Sequence, residues 1–162
     1  MCKLYKILFG AAVVLAAGSA QAATVTTTFQ AKIIITAQCL VSATILDFGT
    51  SGVIAANIDQ SSTITVTCTN TTPYNVGIDK GANGASVTTR LMKGGPSLET
   101  IAYSMWTNAG RTTNWGNTVG TDTLAGTGNG TAQALTVFGR VAPQTTPTPG
   151  TYTDTVTVTV TY

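Results

Sequence analysis

The chain has 162 residues, of which 9% are charged and 43% hydrophobic, and it contains no histidine. That length fits one domain around one core, and the missing histidine excludes Ser-His-Asp and Cys-His catalysis and removes the commonest zinc ligand. The formal charge of +2 rests on Lys3 and Lys6. From residue 23 onward six basic residues face six acidic ones, which leaves no basic face for nucleic acid or anionic membrane and no acidic tail.

Met1 to Lys6 is a short basic stretch, followed by the apolar run ILFGAAVVLAAGSA and then Ala20-Gln21-Ala22. This order of n-region, h-region and A-x-A site reads as a secretory signal peptide over 1–22. The alternative, a membrane anchor, needs about 20 apolar residues, more than this run supplies. Cys2 departs with the signal, so Cys39 and Cys68 remain. An even cysteine count in an exported chain predicts one disulfide between them, the alternative being two buried free thiols.

Next comes ATVTTTFQAKIIITAQC. As a strand it presents Val25, Thr27, Phe29, Ala31, Ile33 and Ile35 on one face. Thr24, Thr26, Thr28, Gln30, Lys32, Ile34 and Thr36 lie on the other. One face is apolar at five of six positions and the other at one of seven, a period-2 pattern longer than an ordinary strand. Residues 37–49 form a further predicted strand, with a bend at Ser42. In 61–70 Ile64, Val66 and Cys68 alternate with Thr, which turns Cys68 inward. A strand over 74–80 follows Pro73, and Gly81-Ala82-Asn83-Gly84 is a turn. Strands 86–94 and 98–106 are expected to pair across Gly-Gly-Pro-Ser.

The stretch 108–117 is a polar loop, and 120–141 holds a loop and then a strand ending near Arg140. Gly126 to Gly130 is expected to be a flexible hairpin loop; no strand-to-helix pattern surrounds it to suggest a phosphate cradle. A proline-rich connection spans 142–150. The final strand is 151–162, with Tyr152, Asp154, Val156, Val158, Val160 and Tyr162 on one face and Thr at every second position on the other. No helical periodicity extends beyond a turn. Short strands punctuated by Gly and Pro predict an antiparallel β-sandwich.

Catalytic, cofactor and metal sites are not expected. The six carboxylates are scattered and lack the spacing of an acid/base pair or a calcium loop. Asn70-Thr71-Thr72 and Asn129-Gly130-Thr131 match the glycosylation sequon, which arises readily by chance in so Thr-rich a chain. Trp106, Trp115 and Tyr103 offer a sugar-stacking platform as one reading, and loop anchors as the favoured one.

Taken in order, the alternating segment ending at Cys39, LDFGT (46–50), ITVTCTN (64–70), YNVGID (74–79), YSMWTNAGRTTNWG (103–116), VFGRV (137–141) and PGTYTDTVTVTVTY (149–162) resemble the spore coat protein U domain family. That family occurs in subunits of archaic, Csu-type chaperone–usher pili. The resemblance implies an incomplete immunoglobulin-like β-sandwich of pilin type that lacks its last strand, over 37–162. It also implies an N-terminal donor strand, 23–36, that completes a neighbour. The plugs would be Val25, Thr27, Phe29, Ala31 and Ile33, with Ile35 at the donor's end, and Val156, Val158 and Val160 would border the groove. Thr27 departs from a fully apolar donor face and marks a weak second plug. The partners implied are neighbouring subunits in a head-to-tail polymer, a periplasmic chaperone and an outer-membrane usher, with no nucleic acid and no small-molecule substrate. The place implied is the cell surface, and the role is a shaft or adaptor subunit of an adhesive fibre serving attachment and biofilm formation. The competing readings are a monomeric secreted glycan-binding module and a coat protein of resting cells.

Overall fold

The computed structural model describes residues 21–162; residues 1–20, which hold all but the last two residues of the expected signal peptide, lie outside the described residues. Nine strands and no helix occur among them. The strands are β1 (Cys39–Ala43), β2 (Ile58–Cys68), β3 (Pro73–Ile78), β4 (Arg90–Gly94), β5 (Glu99–Trp106), β6 (Leu124–Thr127), β7 (Ala132–Val141), β8 (Tyr152–Thr153) and β9 (Val158–Thr161). All pairings are antiparallel. One sheet runs β1-β2-β7-β5-β4-β8 and the other β6-β3-β9.

Alternation builds the core. In β2, Ile64, Val66 and Cys68 are buried, while Thr63, Thr65 and Thr67 stay half-exposed. Val76 and Ile78 of β3, Tyr103 and Met105 of β5, and Val137 and Val141 of β7 complete the inner faces. Thr suits the outer faces because its branched side chain favours extended backbone while its hydroxyl meets water. Gly139 of β7 is a point of close approach: a Cβ there would lie 2.7 Å from Leu46. Its absence lets Leu46 and Phe48 pack onto the core, with Phe48 edge-on to Tyr103 at 6.1 Å.

Several elements differ from expectation. The strand read over 37–49 is only Cys39–Ala43; after Thr44 bonds back to Thr63 and Ser62, the chain leaves the ladder. Strand β2 starts three residues earlier than expected, because Ile58 to Gln60 extend the ladder with Val141 to Gly139. Strand β4 is shorter, since Ser86 to Thr89 close a local turn of their own. Gly126 to Gly130 is not a hairpin loop. Strands β6 and β7 belong to different sheets, so this stretch crosses between them, pinned by Thr71 N to Gly128 O and Gly130 N to Cys68 O. The final strand is broken at 154–157, with β8 in the large sheet and β9 in the small one. Its two-face pattern survives the break: Tyr152, Asp154, Val156, Val158 and Val160 are half-buried and the threonines exposed, while Tyr162 stays exposed.

Candidate functional site: an open groove between two sheet edges

Two strands lie at sheet edges beside each other. Strand β1 ends the large sheet and β9 ends the small one, and they approach closely with no ladder between them. Residues directly opposite in an antiparallel pair share a face, so burial should match across each pair. It does not match here. Val41 of β1 lies opposite Val66, yet Val41 is 43% exposed and Val66 0%. Ala43 lies opposite the buried Ile64 and is exposed. On the other lip, Val160 and Val158 lie opposite Val76 and Ile78. Those partners are buried, whereas Val158 and Val160, with Val156, are only half-buried. Inward-facing apolar side chains on both lips are therefore uncovered because a strand is lacking between them. Their backbone edges present unpaired N–H and C=O groups, the template to which another strand adds.

The disulfide fixes one lip. Cys39 and Cys68 are bonded and sit directly opposite in the β1–β2 register, with Cys68 buried as its alternation predicted. Their separation of 29 residues gives a cross-link worth about 3–4 kcal/mol on the loop-entropy model. Strand β1 pairs along one edge only, with β2, and this bond fastens the start of that pairing.

The segment before β1 has no strand assignment over residues 21–38. Val25, Phe29 and Ile33 are 95%, 92% and 81% exposed, and Thr27 and Ala31 are exposed too. Ile34 and Ile35 are likewise exposed.

Sequence reasoning missed the polar cluster at one end of the sandwich. Arg90 is fully buried. Its Nε donates to Asp79 O, and Nη2 to Ile78 O and Trp115 O, while Nη1 donates to Val87 O. Burial lowers the affinity of its guanidinium for the proton, and the neighbouring Tyr103 and the carboxylates of Asp79, Asp122 and Asp154 act in the opposite direction. Trp115 is fully buried and its indole N–H donates to Val76 O at 2.8 Å. Trp106 lies half-buried, bridged to Asn114. Trp115 thus anchors the 103–116 region and offers no face to a sugar, while Trp106 contributes a backbone bridge and a half-buried side chain. On the outer surface Asp59 receives Nε and Nη2 of Arg140; that bond, the nearby Arg111 and Arg140 itself hold its carboxyl below the usual range against the effect of burial. No group of three or more His, Cys, Asp or Glu that could hold a metal occurs among the described residues.

A two-sheet antiparallel sandwich whose opposing edges leave inward side chains uncovered is a pilin-like, immunoglobulin-type fold lacking its last strand. The chain belongs to the Spore Coat Protein U domain family, whose model matches residues 25–159. It is similar to one chain of a crystal structure from Acinetobacter baumannii, the CsuC–CsuE chaperone–tip adhesion subunit pre-assembly complex of archaic chaperone-usher Csu pili. The TM-score is 0.57 at 27% identity, and the match covers 79% of this chain and 40% of that one, less than half its length. A search of curated proteins gave no match.

Proposed function

We propose that this protein is a structural subunit of an adhesive surface pilus that polymerises head to tail by donor-strand exchange and catalyses no reaction. The observation that carries the reading is the burial mismatch along β1 and β9, where Val41 is 43% exposed opposite a fully buried Val66. The second half of the complementarity is the apolar face of residues 25–33, exposed and outside any sheet. One surface lacks a strand and one strand lacks a sheet. Residues 23–36 act as donor, with Val25, Thr27, Phe29, Ala31 and Ile33 entering the groove of another copy. Val156, Val158 and Val160 border the groove that receives it. A strand that leaves each copy to enter the next makes a heterologous, head-to-tail contact, which grows a filament when its rotation does not close on itself.

Some Cα pairs of β1 and β9 lie within 8 Å. An inserted strand needs two ladder spacings, about 9.6 Å, so the lips part when it enters. The free subunit then exposes apolar surface only transiently if a periplasmic chaperone occupies the groove until an outer-membrane usher delivers the next donor. Residues 1–22 act as the signal that sends the chain to the periplasm, and the assembled fibre stands at the cell surface, where it supports attachment and biofilm formation. The pilus assembly named for the similar Acinetobacter complex supports this reading.

The test is electrophoresis in SDS without heating. Mature protein should run as a ladder of multimers that collapses to monomer on boiling. A single monomer band before and after heating would overturn the proposal.

A further inference from the structure

The groove's second lip depends on where the chain changes sheets. Residues 151–162 alternate without a break in sequence, and nothing in their pattern stops them from continuing as one strand beside β4. The structure instead leaves the large sheet after Thr153 and enters the small one at Val158. At the departure point the Asp154 side chain turns inward. Its Oδ2 accepts the Tyr103 hydroxyl at 2.8 Å. Its Oδ1 accepts Ala82 N, Asn83 N, Asn83 Nδ2 and Thr155 N at 3.0, 3.3, 3.1 and 2.9 Å. Gly81 makes room for it: a Cβ there would lie 2.0 Å from Oδ2, and its φ is +76°, a conformation that side chains disfavour. Two backbone bonds continue the strap, Ala82 N to Thr155 O and Asp79 N to Thr157 O, and Asp79 Oδ1 accepts Thr157 N at 2.9 Å. The 79–83 loop and the 154–157 crossing are thereby tied together immediately before the lip begins.

We propose that Asp154 is the positioning residue of the groove: it forces the last strand to cross from one sheet to the other and anchors the root of β9, so that this lip can swing aside for an incoming strand without detaching. The inference rests on the polymerisation reading above for its functional meaning. Asp154 accepts hydrogen bonds from β5, from the 79–83 loop and from its own crossing, so it joins both sheets' connections at a single carboxylate. Tyr103 alone cannot replace it, because a hydroxyl does not reach three loop donors and the crossing together. Without the carboxylate the Asn83 N–H groups and the Tyr103 hydroxyl lose this acceptor and Ala82 N keeps only Thr155 O, so the alternating sequence is free to extend β8 along β4 at the expense of β9.

The phenotype differs from that of a donor defect. Asp154→Ala should accept poorly and still donate through residues 23–36, whereas Phe29→Asp should accept and not donate. Each alone should give no ladder, and a mixture of the two should stop at dimers. Asp154→Asn keeps one oxygen for the loop N–H groups and should restore most of the ladder. Hydrogen exchange on the mature chain supplies the independent readout. In Asp154→Ala the amides of the β3–β9 pair should exchange about tenfold faster or more, the effect of losing one or two charge-assisted hydrogen bonds, while β2 and β7 stay protected. Wild-type exchange at β9 would overturn the proposal. Equal loss of protection in β2–β7 would also overturn it, since Asp154 would then serve the whole fold and not the lip. Should wild-type protein itself form no ladder, the polymerisation reading fails, and hydrogen exchange still decides the role of Asp154.

Discussion

Replacing Phe29 by Asp probes the donor at its centre. Phe29 is 92% exposed, so in an unassembled chain the substitution removes no packing and should leave the sandwich intact. The cost falls on assembly. Burying a phenylalanine side chain contributes roughly 1.5–3 kcal/mol, and that gain is lost. Burying an unpaired carboxylate against the apolar lips, Val41 on one side and Val158 and Val160 on the other, costs several kcal/mol more. A combined effect of about 4 kcal/mol or more lowers the exchange equilibrium roughly a thousandfold. Lys32 occupies the opposite face of the same segment, so Lys32→Asp meets solvent and should change little. The assay compares unheated SDS ladders of the wild type and both variants at equal concentration. The reasoning predicts a full ladder for the wild type and for Lys32→Asp, and monomer for Phe29→Asp. Equal ladders for all three, or equal loss in both variants, would refute the assignment of faces.

Non-reducing mass spectrometry should find Cys39 and Cys68 linked, and replacing either by Ser should lower unfolding stability by about 3–4 kcal/mol; two alkylatable thiols would contradict this. Trp115→Ala should cost about 3–5 kcal/mol in chemical denaturation, because it empties a fully buried site and leaves Val76 O without its donor, whereas Trp106→Ala should cost clearly less. Stability should also fall in acid. Burial pushes the Asp79 carboxyl up, but the N–H groups of Thr157 and Gly81 outweigh it and the net shift is below its ordinary value of 3.8. A depressed carboxyl contributes stability that is complete above that ordinary value and is lost as pH falls through the depressed one. Asp79→Asn should therefore flatten the decline in denaturation midpoint below about pH 4, and an unchanged acid limb would contradict the assignment.

The strand alternation was legible wherever one face meets the core and the other meets water. Ile64, Val66 and Cys68 in β2 announced their inward face, whereas the alternating residues 25–33 form no strand in the structure. Periodicity reports a face, however, and not a sheet. It therefore gave no sign that the alternating residues 151–162 divide between two sheets at Asp154, or that Gly126 to Gly130 crosses between sheets. Arg90 was hidden for a related reason. Charged residues are rarely buried, and the four carbonyls that satisfy this one come from residues 78, 79, 87 and 115, which only the folded chain brings together. Asp79 and Asp154 likewise looked like scattered carboxylates, because most of their partners are backbone N–H groups, which sequence does not distinguish, and the side-chain donors of Asp154, Tyr103 and Asn83, lie 51 and 71 residues away.

The central claim is that residues 25–33 of one copy lie between β1 and β9 of another, and photo-cross-linking measures that contact directly. A benzophenone amino acid at position 29, in an assembled mixture of isotopically light and heavy chains, should yield cross-linked peptides from 39–43 and 156–162. These should join light to heavy chains as often as random mixing allows. Cross-links confined within single chains, or falling on other surfaces of the sandwich, would contradict the account.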